Sequence, residues 1–321
     1  MTELHLGNVL SGMFPPSPKW SVDDIPDLTG KVAIVTDSFP FNSIIDAPCG
    51  NVGIGKETCK QLLLKGGTVW LSARSRSKAE EAINELKKET GKAALFLGLE
   101  LSDLNAVKES AERFKSQASA LHILICNAAV WGPPVEQLSA QGYDLQFGVN
   151  VLGHLLFINQ LLPLLKSTSN SLTETRIIWV ASSGNYFSKA PVNYDNLTDT
   201  ETRKKMATLD LYSQSKFITV MLGYHLAKLL EEDQSSNVIC MALDPGNIKS
   251  ELYRNNWFIL YPIPRGALTQ LFAATAPEAV QYNGKYLRPW ARLAEPHSQT
   301  KNVAEQQKMW DYCMVALQGY K

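Results

Sequence analysis

The sequence predicts an α/β fold in which one doubly wound parallel sheet carries helices on both faces. Three observations predict it. Short, uniformly apolar runs alternate with longer runs of helical period, a glycine cluster stands between the first strand-like and the first helix-like run, and no internal repeat or low-complexity linker divides the 321 residues.

The strand-like runs are KVAIVT (31–36), TVWLSA (68–73), AALFLGLE (93–100), LHILICN (121–127), RIIWVAS (176–182) and NVICMALD (237–244). They are too apolar to present a wet face, as strands of a parallel sheet covered on both sides must be. Between them GKETCKQLLLKG, SKAEEAINELKKETG and LNAVKESAERFKSQ space apolar residues three and four apart and carry charge elsewhere, the pattern of surface helices. The expected organisation is a single domain over 31–295 with a substrate lid near 250–280. An extended N-terminal arm (1–30) precedes it, and 296–321 ends in a helix around NVAEQQKMWDYCMVAL.

Composition narrows the function classes. Hydrophobic residues make up 45% of the chain, ample for a sizeable core. Lys plus Arg and Asp plus Glu number 31 each, so no long-range field gathers nucleic acid or an anionic membrane, and small-molecule chemistry is expected. Cys49, Cys59, Cys126, Cys240 and Cys313 are odd in number, scattered and without a C-x-x-C pair, which points to a reducing compartment and cytoplasmic residence. His5, His122, His154, His225 and His297 never stand at ligand spacing, so no metal is expected. The first 30 residues lack the basic start and continuous apolar run of a signal peptide. LLFINQLLPLL, broken by Asn159, Gln160 and Pro163, reads as a buried helix and not a membrane span.

GNVGIGKETC, lying between a strand and a helix, suits a phosphate-binding turn: glycines let backbone N–H groups approach the anion, and the helix start adds its positive dipole end. The next strand ends in SARSRSK. An acid there would bind a ribose 2′-hydroxyl; instead Arg74, Arg76 and Lys78 stand where cations would pair with a 2′-phosphate, which favours NADP(H) over NAD. A solvated helix start is the structural alternative for at least one of the three.

LYSQSK sets Tyr212 and Lys216 four apart, on one face of a helix. An ammonium beside a phenol stabilises the phenolate, as proton exchange with an alcohol or ketone requires. Ser182 and Ser183 end one strand, Asn127 ends the strand before it, Asn150 lies on the helix between them, and a Pro245-Gly246 turn follows a later strand. Each could be turn chemistry alone. Together, at successive strand ends, they form a pattern.

In these motifs, NVGIG, CNAA, VNVLGH, ASS, YSQSK and DPGNIKSEL, the chain from about Lys31 to about Trp290 resembles the short-chain dehydrogenases/reductases, in particular the fungal relatives of retinol dehydrogenases and WW-domain oxidoreductases. The resemblance implies a Rossmann fold, an NADP(H) cofactor and an oxidoreductase that interconverts an alcohol and a carbonyl on a lipophilic small molecule. A retinoid-like, terpenoid or polyketide substrate from secondary metabolism would fit. It implies Tyr212 as proton donor and acceptor, Lys216 as the group that lowers its pKa and grips the nicotinamide ribose, Ser182 (with Ser183 as fallback) on the substrate oxygen, and Asn150 holding a relay water. It implies Gly50, Asn51, Gly53, Ile54 and Gly55 on the pyrophosphate, Arg74 on the 2′-phosphate, Asp103 at the adenine and Asn127 beside the cofactor. Pro245, Gly246 and Ile248 would close over the nicotinamide, and two copies would pair through the helix that carries Tyr212.

Two departures qualify this. The family writes T-G-x-x-x-G-x-G; here Asp37 to Cys49 intervene after Thr36, and Cys49 stands at the first glycine, where a side chain crowds backbone or phosphate. Asp37 near a pyrophosphate would add repulsion. A tolerated loop, at about 0.6 kcal/mol per doubling of length, leaves a working enzyme; a displaced turn leaves a binding or regulatory protein; a misjoined exon is the third reading. Second, the segment before LYP is shorter than in such relatives, and WFILYPIP from Trp257 is either a greasy pocket wall or a core loop.

Overall fold

In the computed structural model, the described residues are 3–37, 53–170, 172–249 and 260–320, with side chains from residue 7 onward. Each predicted strand is present: β1 (Val32–Thr36), β2 (Thr68–Ala73), β3 (Leu95–Gly98), β4 (Ile123–Cys126), β5 (Thr175–Val180) and β6 (Val238–Leu243). Two strands of three residues each, β7 (Tyr286–Arg288) and β8 (Arg292–Ala294), extend the sheet and were too short to show a period. The order is β3-β2-β1-β4-β5-β6-β7-β8, parallel except for β8.

Along each central strand, alternate residues enter opposite cores. Ile34, Leu124, Ile177, Trp179 and Cys240 face one; Ala33, Val35, Ile125, Ile178 and Met241 face the other. This two-sided burial is why the strands read as continuous apolar runs. The second core is closed by α2 (Ile54–Leu64), α3 (Arg76–Thr90) and a helix at Ile263–Thr275; the first is closed by α4 (Leu104–Gln117), α5 (Leu145–Thr168) and α6 (Thr208–Glu232). By length and composition α5 could cross a membrane, yet 72% of its apolar window is buried inside the fold.

Two expectations change. The N-terminal arm is not extended throughout: Glu3–Met13 form α1. Its last turn is held by side chains from the sheet edge, with Arg292 Nη2 donating to the carbonyl of Ser11 at 3.0 Å and the Tyr261 hydroxyl to that of Met13 at 3.3 Å, where helix carbonyls lack intrahelical partners. The lid expected near 250–280 is, in its second half, the core helix α7 (Ile263–Thr275), whose residues from Gly266 on are buried; its start up to 259 lies outside the described residues. The C-terminal helix α8 (Val303–Ala316) lies on α6, the Tyr212 helix, burying Met309 and Cys313 and setting Trp310 against His225 at 5.0 Å.

The α5 helix contains one π turn, Gly148–Gly153, which carries Asn150. Its last residue passes so close to α4's approach that a Cβ on Gly153 would run into the carbonyl oxygen of Leu101. Gly153→Ala is therefore expected to lose about 1–3 kcal/mol of stability, measured by urea unfolding, because backbone rather than a movable side chain must give way.

Candidate active site

The parallel strands end at one edge, and there the predicted catalytic residues meet. Ser182 leaves β5 and caps a short 3-10 turn (Ser183–Phe187), its Oγ accepting the Gly184 N–H at 3.0 Å, which leaves its own proton to be directed elsewhere. Tyr212 and Lys216 rise one turn apart on α6, both buried. A methyl group built on Gly184 would sit 3.2 Å from Cε1 of Tyr212 and 3.4 Å from Oγ of Ser182, so ring and hydroxyl flank one small space.

Lys216 Nζ donates to the carbonyl of Val180, the last residue of β5, at 2.8 Å and lies 5.8 Å from the centre of the Tyr212 ring. Burial pushes the ammonium down to about 7, and the nearby Asp244 carboxylate opposes that fall. Asn150 is a clamp. Its Oδ1 accepts from Val130 N at 2.8 Å, and its Nδ2 donates to Val130 O at 3.1 Å and to Ser215 Oγ at 3.0 Å; Ser215 in turn donates to the carbonyl of Tyr212 at 2.7 Å. With its side chain so engaged, a relay water would have to use the Asn150 carbonyl.

Behind the site, the Thr36 hydroxyl accepts the N–H groups of Asn127 and Ala128, each at 2.9 Å, tying the end of β1 to that of β4. Thr36 must then give its own proton to His154 Nε2, 3.0 Å away, and the ring's other N–H faces the carbonyls of Asn150 and Val149. His154 is thus a neutral ring with one assigned tautomer; burial first, and the Lys216 charge second, push it down to about 3.

At the nucleotide end, Gly53 caps α2 without a side chain, and Gly50, Asn51 and Cys49 lie outside the described residues. Ile54 and Ile248 converge: a Cβ on Gly266 would lie 3.0 Å from one and 2.6 Å from the other, so the α2 start meets the turn that contains Pro245 and Gly246. Gly246 has φ +91°, a conformation that favours glycine. Asn127 Nδ2 donates to the Thr36 carbonyl at 3.0 Å. Asp37 stands at the same place. A Cβ on Gly55 would come within 2.5 Å of Asp37 Oδ1 and 2.8 Å of Asn127 Nδ2, so the acid occupies the mouth of the α2 N-terminus.

Arg74 is exposed at the end of β2, its Nε 3.6 Å from Glu100; Arg76 lies over the Phe96 ring and pairs with Glu80. Asp103 is occupied structurally: it caps α4 through Asn105 N and accepts from Gln141. Glu100, just past β3, is the acid beside Arg74, and its place after an apolar run was a readable signal. Trp131, edge-on to Tyr212 with ring centres 6.4 Å apart, and the buried Asp244 are further site residues that strand-end reasoning passed over, although Trp131 directly follows one motif it used and Asp244 opens another.

The model of the family described as short chain dehydrogenase matches residues 49–194, beginning at the last residue of the interposed passage and so leaving out β1. A short-chain dehydrogenase/reductase of Armillaria gallica is 43% identical over 98% of this chain and 100% of its own length. The chain belongs to the short-chain dehydrogenase/reductase family. The human polyprenol dehydrogenase is another relative of this oxidoreductase, 30% identical over 95% of the chain and 87% of the relative. A crystal structure described as a short chain dehydrogenase from Escherichia coli CFT073, complexed with NADPH, shares the fold: TM-score 0.60, 18% identity, 82% of this chain and 97% of the other.

The His154 ring makes a pH prediction. Because its folded pKa of about 3 lies below the ordinary imidazole value, its contribution to stability is complete above pH ~6.5 and fades as pH falls towards 3. Unfolding free energy should drop by up to about 1.4 kcal/mol per pH unit from this group in that window, and His154→Gln should flatten the slope when urea unfolding is followed from pH 6 to 4.

Proposed function

We propose that the chain is an NADP(H)-dependent oxidoreductase that interconverts an alcohol and a ketone or aldehyde on a lipophilic small molecule. The observation that carries this is the meeting of Ser182, Tyr212 and Lys216 around one small space at the carboxyl edge of the sheet. There the Ser182 hydroxyl donates to the substrate oxygen, and Tyr212 exchanges a proton with it. Lys216, held by the Val180 carbonyl, places positive charge next to the phenol.

The residues present fit a nicotinamide cofactor at its catalytic end. Asn127 and Lys216 would hold the nicotinamide ribose, Pro245, Gly246 and Ile248 would cover the ring, Gly53, Ile54 and Gly55 would meet the pyrophosphate, and Arg74 the 2′-phosphate. When bound, that group supplies hydride exchange at the substrate carbon, while the protein supplies position. NADP(H) is supported by Arg74 at the end of β2, a strand that itself ends without an acid although Glu100 from beyond β3 pairs with the arginine, and by the likeness to an NADPH-complexed fold. A lipophilic substrate is supported by the Trp131 ring beside Tyr212 and by the polyprenol dehydrogenase relative. Secondary metabolism and cytoplasmic residence complete the proposal, the latter supported by four buried free thiols, Cys59, Cys126, Cys240 and Cys313.

One observation favours a second reading, a binding or regulatory protein with weakened cofactor use. The Asp37 carboxylate stands at the α2 N-terminus, where like charge opposes a pyrophosphate.

NADPH titration by nicotinamide fluorescence separates the two. Micromolar binding by the full chain supports the enzyme; binding only by a variant that lacks Asp37 to Pro48 and carries Cys49→Gly supports the second reading. In the chain that binds, Tyr212→Phe should cut carbonyl reduction by at least about 100-fold with NADPH affinity nearly unchanged. Turnover equal to that of the unaltered chain would remove Tyr212 from the chemistry.

A further inference from the structure

Two buried amide side chains on α5, Gln146 and Asn150, stand one turn apart and hold the loop that leaves β4 on either side of Trp131. Asn150 takes the residue before the indole, accepting from Val130 N at 2.8 Å and donating to Val130 O at 3.1 Å. Gln146 takes the residue after it: its Oε1 accepts the N–H of Gly132 at 3.1 Å. Its Nε2 donates at 2.8 Å to the carbonyl of Thr208, the first residue of α6, one turn before Tyr212. A Cβ on Gly132 would stand 4.0 Å from Thr208 Oγ1, so loop and helix start lie close together. One side chain thus ties the residue after Trp131 to the helix that carries Tyr212.

The loop needs such partners. Residues 127–134 belong to no helix or strand, so their N–H and C=O groups have no ladder to satisfy them, and an amide side chain offers a donor and an acceptor together. Further along, Arg203 Nη1 donates to the carbonyl of Val135 and lies 3.3 Å from Asp144 Oδ2. The other oxygen of Asp144 accepts the N–H groups of Gln146 and Phe147 at 3.0 Å each, which fixes the start of α5. The loop is therefore pinned at 130, 132 and 135 by side chains no more than 2% exposed, although Gly132 itself is exposed and has φ +62°, where glycine is favoured. What the pins hold in place is the half-buried Trp131 ring, its centre 6.4 Å from that of Tyr212 and its plane at 81° to the phenol.

We propose that Gln146 is a positioning residue of the active site: through Gly132 and Thr208 it fixes the Trp131 ring against Tyr212, and Trp131 so fixed is the wall that selects substrates by their bulk beside the carbonyl. This rests on the reading of Tyr212 as the residue that exchanges a proton with the substrate oxygen. Such exchange needs the oxygen within hydrogen-bond reach of the phenol, so the groups on the carbonyl carbon have to fit the space that the indole leaves. A wall discriminates only if it stays in place. A loop free to retreat by about an ångström would admit slender and bulky carbonyls alike.

The test uses the full chain, and its first readout needs no turnover. The seven tryptophans are labelled as 5-fluorotryptophan, and the Trp131 line is assigned in the 19F NMR spectrum by its loss in Trp131→Phe. Gln146→Leu, which removes both bonds, should move, broaden or split that line; an unmoved line overturns the proposal. If Gln146→Leu does not fold, hydrogen exchange in the unaltered chain decides: the Gly132 amide should be protected at least about 100-fold despite its exposure, and unprotected exchange overturns the clamp. The second readout is the ratio of kcat/KM, with NADPH, for dipentyl ketone and for decanal. Trp131→Ala should raise that ratio about tenfold or more, Gln146→Leu should raise it in the same direction, and the double variant should go no further than Trp131→Ala alone. Effects that multiply in the double variant overturn the claim that Gln146 acts through Trp131. A chain that reduces neither carbonyl would sink the proposed activity, whereas the clamp stands or falls by the fluorine line.

Discussion

The site depends on one hydrogen bond, from the Lys216 ammonium to the carbonyl of Val180. A buried cation costs several kcal/mol unless it finds an acceptor and a counter-charge, and the end of a parallel strand is where a carbonyl has no ladder partner ahead of it. Meeting that need sets the rotation of α6 on the sheet. With the rotation set, Tyr212, one turn earlier, can only lie beside the Ser182 turn, and Ser215 can only meet Asn150.

The same logic organises the edge as a whole. Both faces of the sheet are filled by hydrocarbon, so polar side chains collect where the strands stop. Two of them serve two elements each: Thr36 links β1 to β4 and to His154, and Asn150 links the loop after β4 to α6. Such shared groups are satisfied only when several elements are in place at once, which makes the edge rigid. Asp37 stands among them, 3.5 Å from Asn127 Nδ2. It puts an acid where the fold otherwise offers an anion the start of a helix, and it is the first residue of the interposed passage.

The two chain ends are integral to the fold. Helix α1 is held by Arg292 and Tyr261 at the catalytic edge, and Gly12 brings its backbone against Asp244. Helix α8 seals the outer side of α6, with Tyr312 also reaching Phe147 and Tyr194.

By itself the sequence determined the sheet, its six long strands and their covering helices, because burial on two faces and helical period are written in the order of apolar residues. It also determined which residues could carry the chemistry, since Tyr212 and Lys216 share a helix face by spacing, and Ser182 and Asn127 end strands. Tertiary structure decided the rest. That Asn150 spends its side chain as a clamp, that Asp103 caps a helix while Glu100 stands by Arg74, and that residues 263–275 are core and not lid all depend on contacts between elements distant in the chain. Local pattern records what a residue can do; which partner it meets depends on how separate elements pack, and that is set by the whole sheet at once.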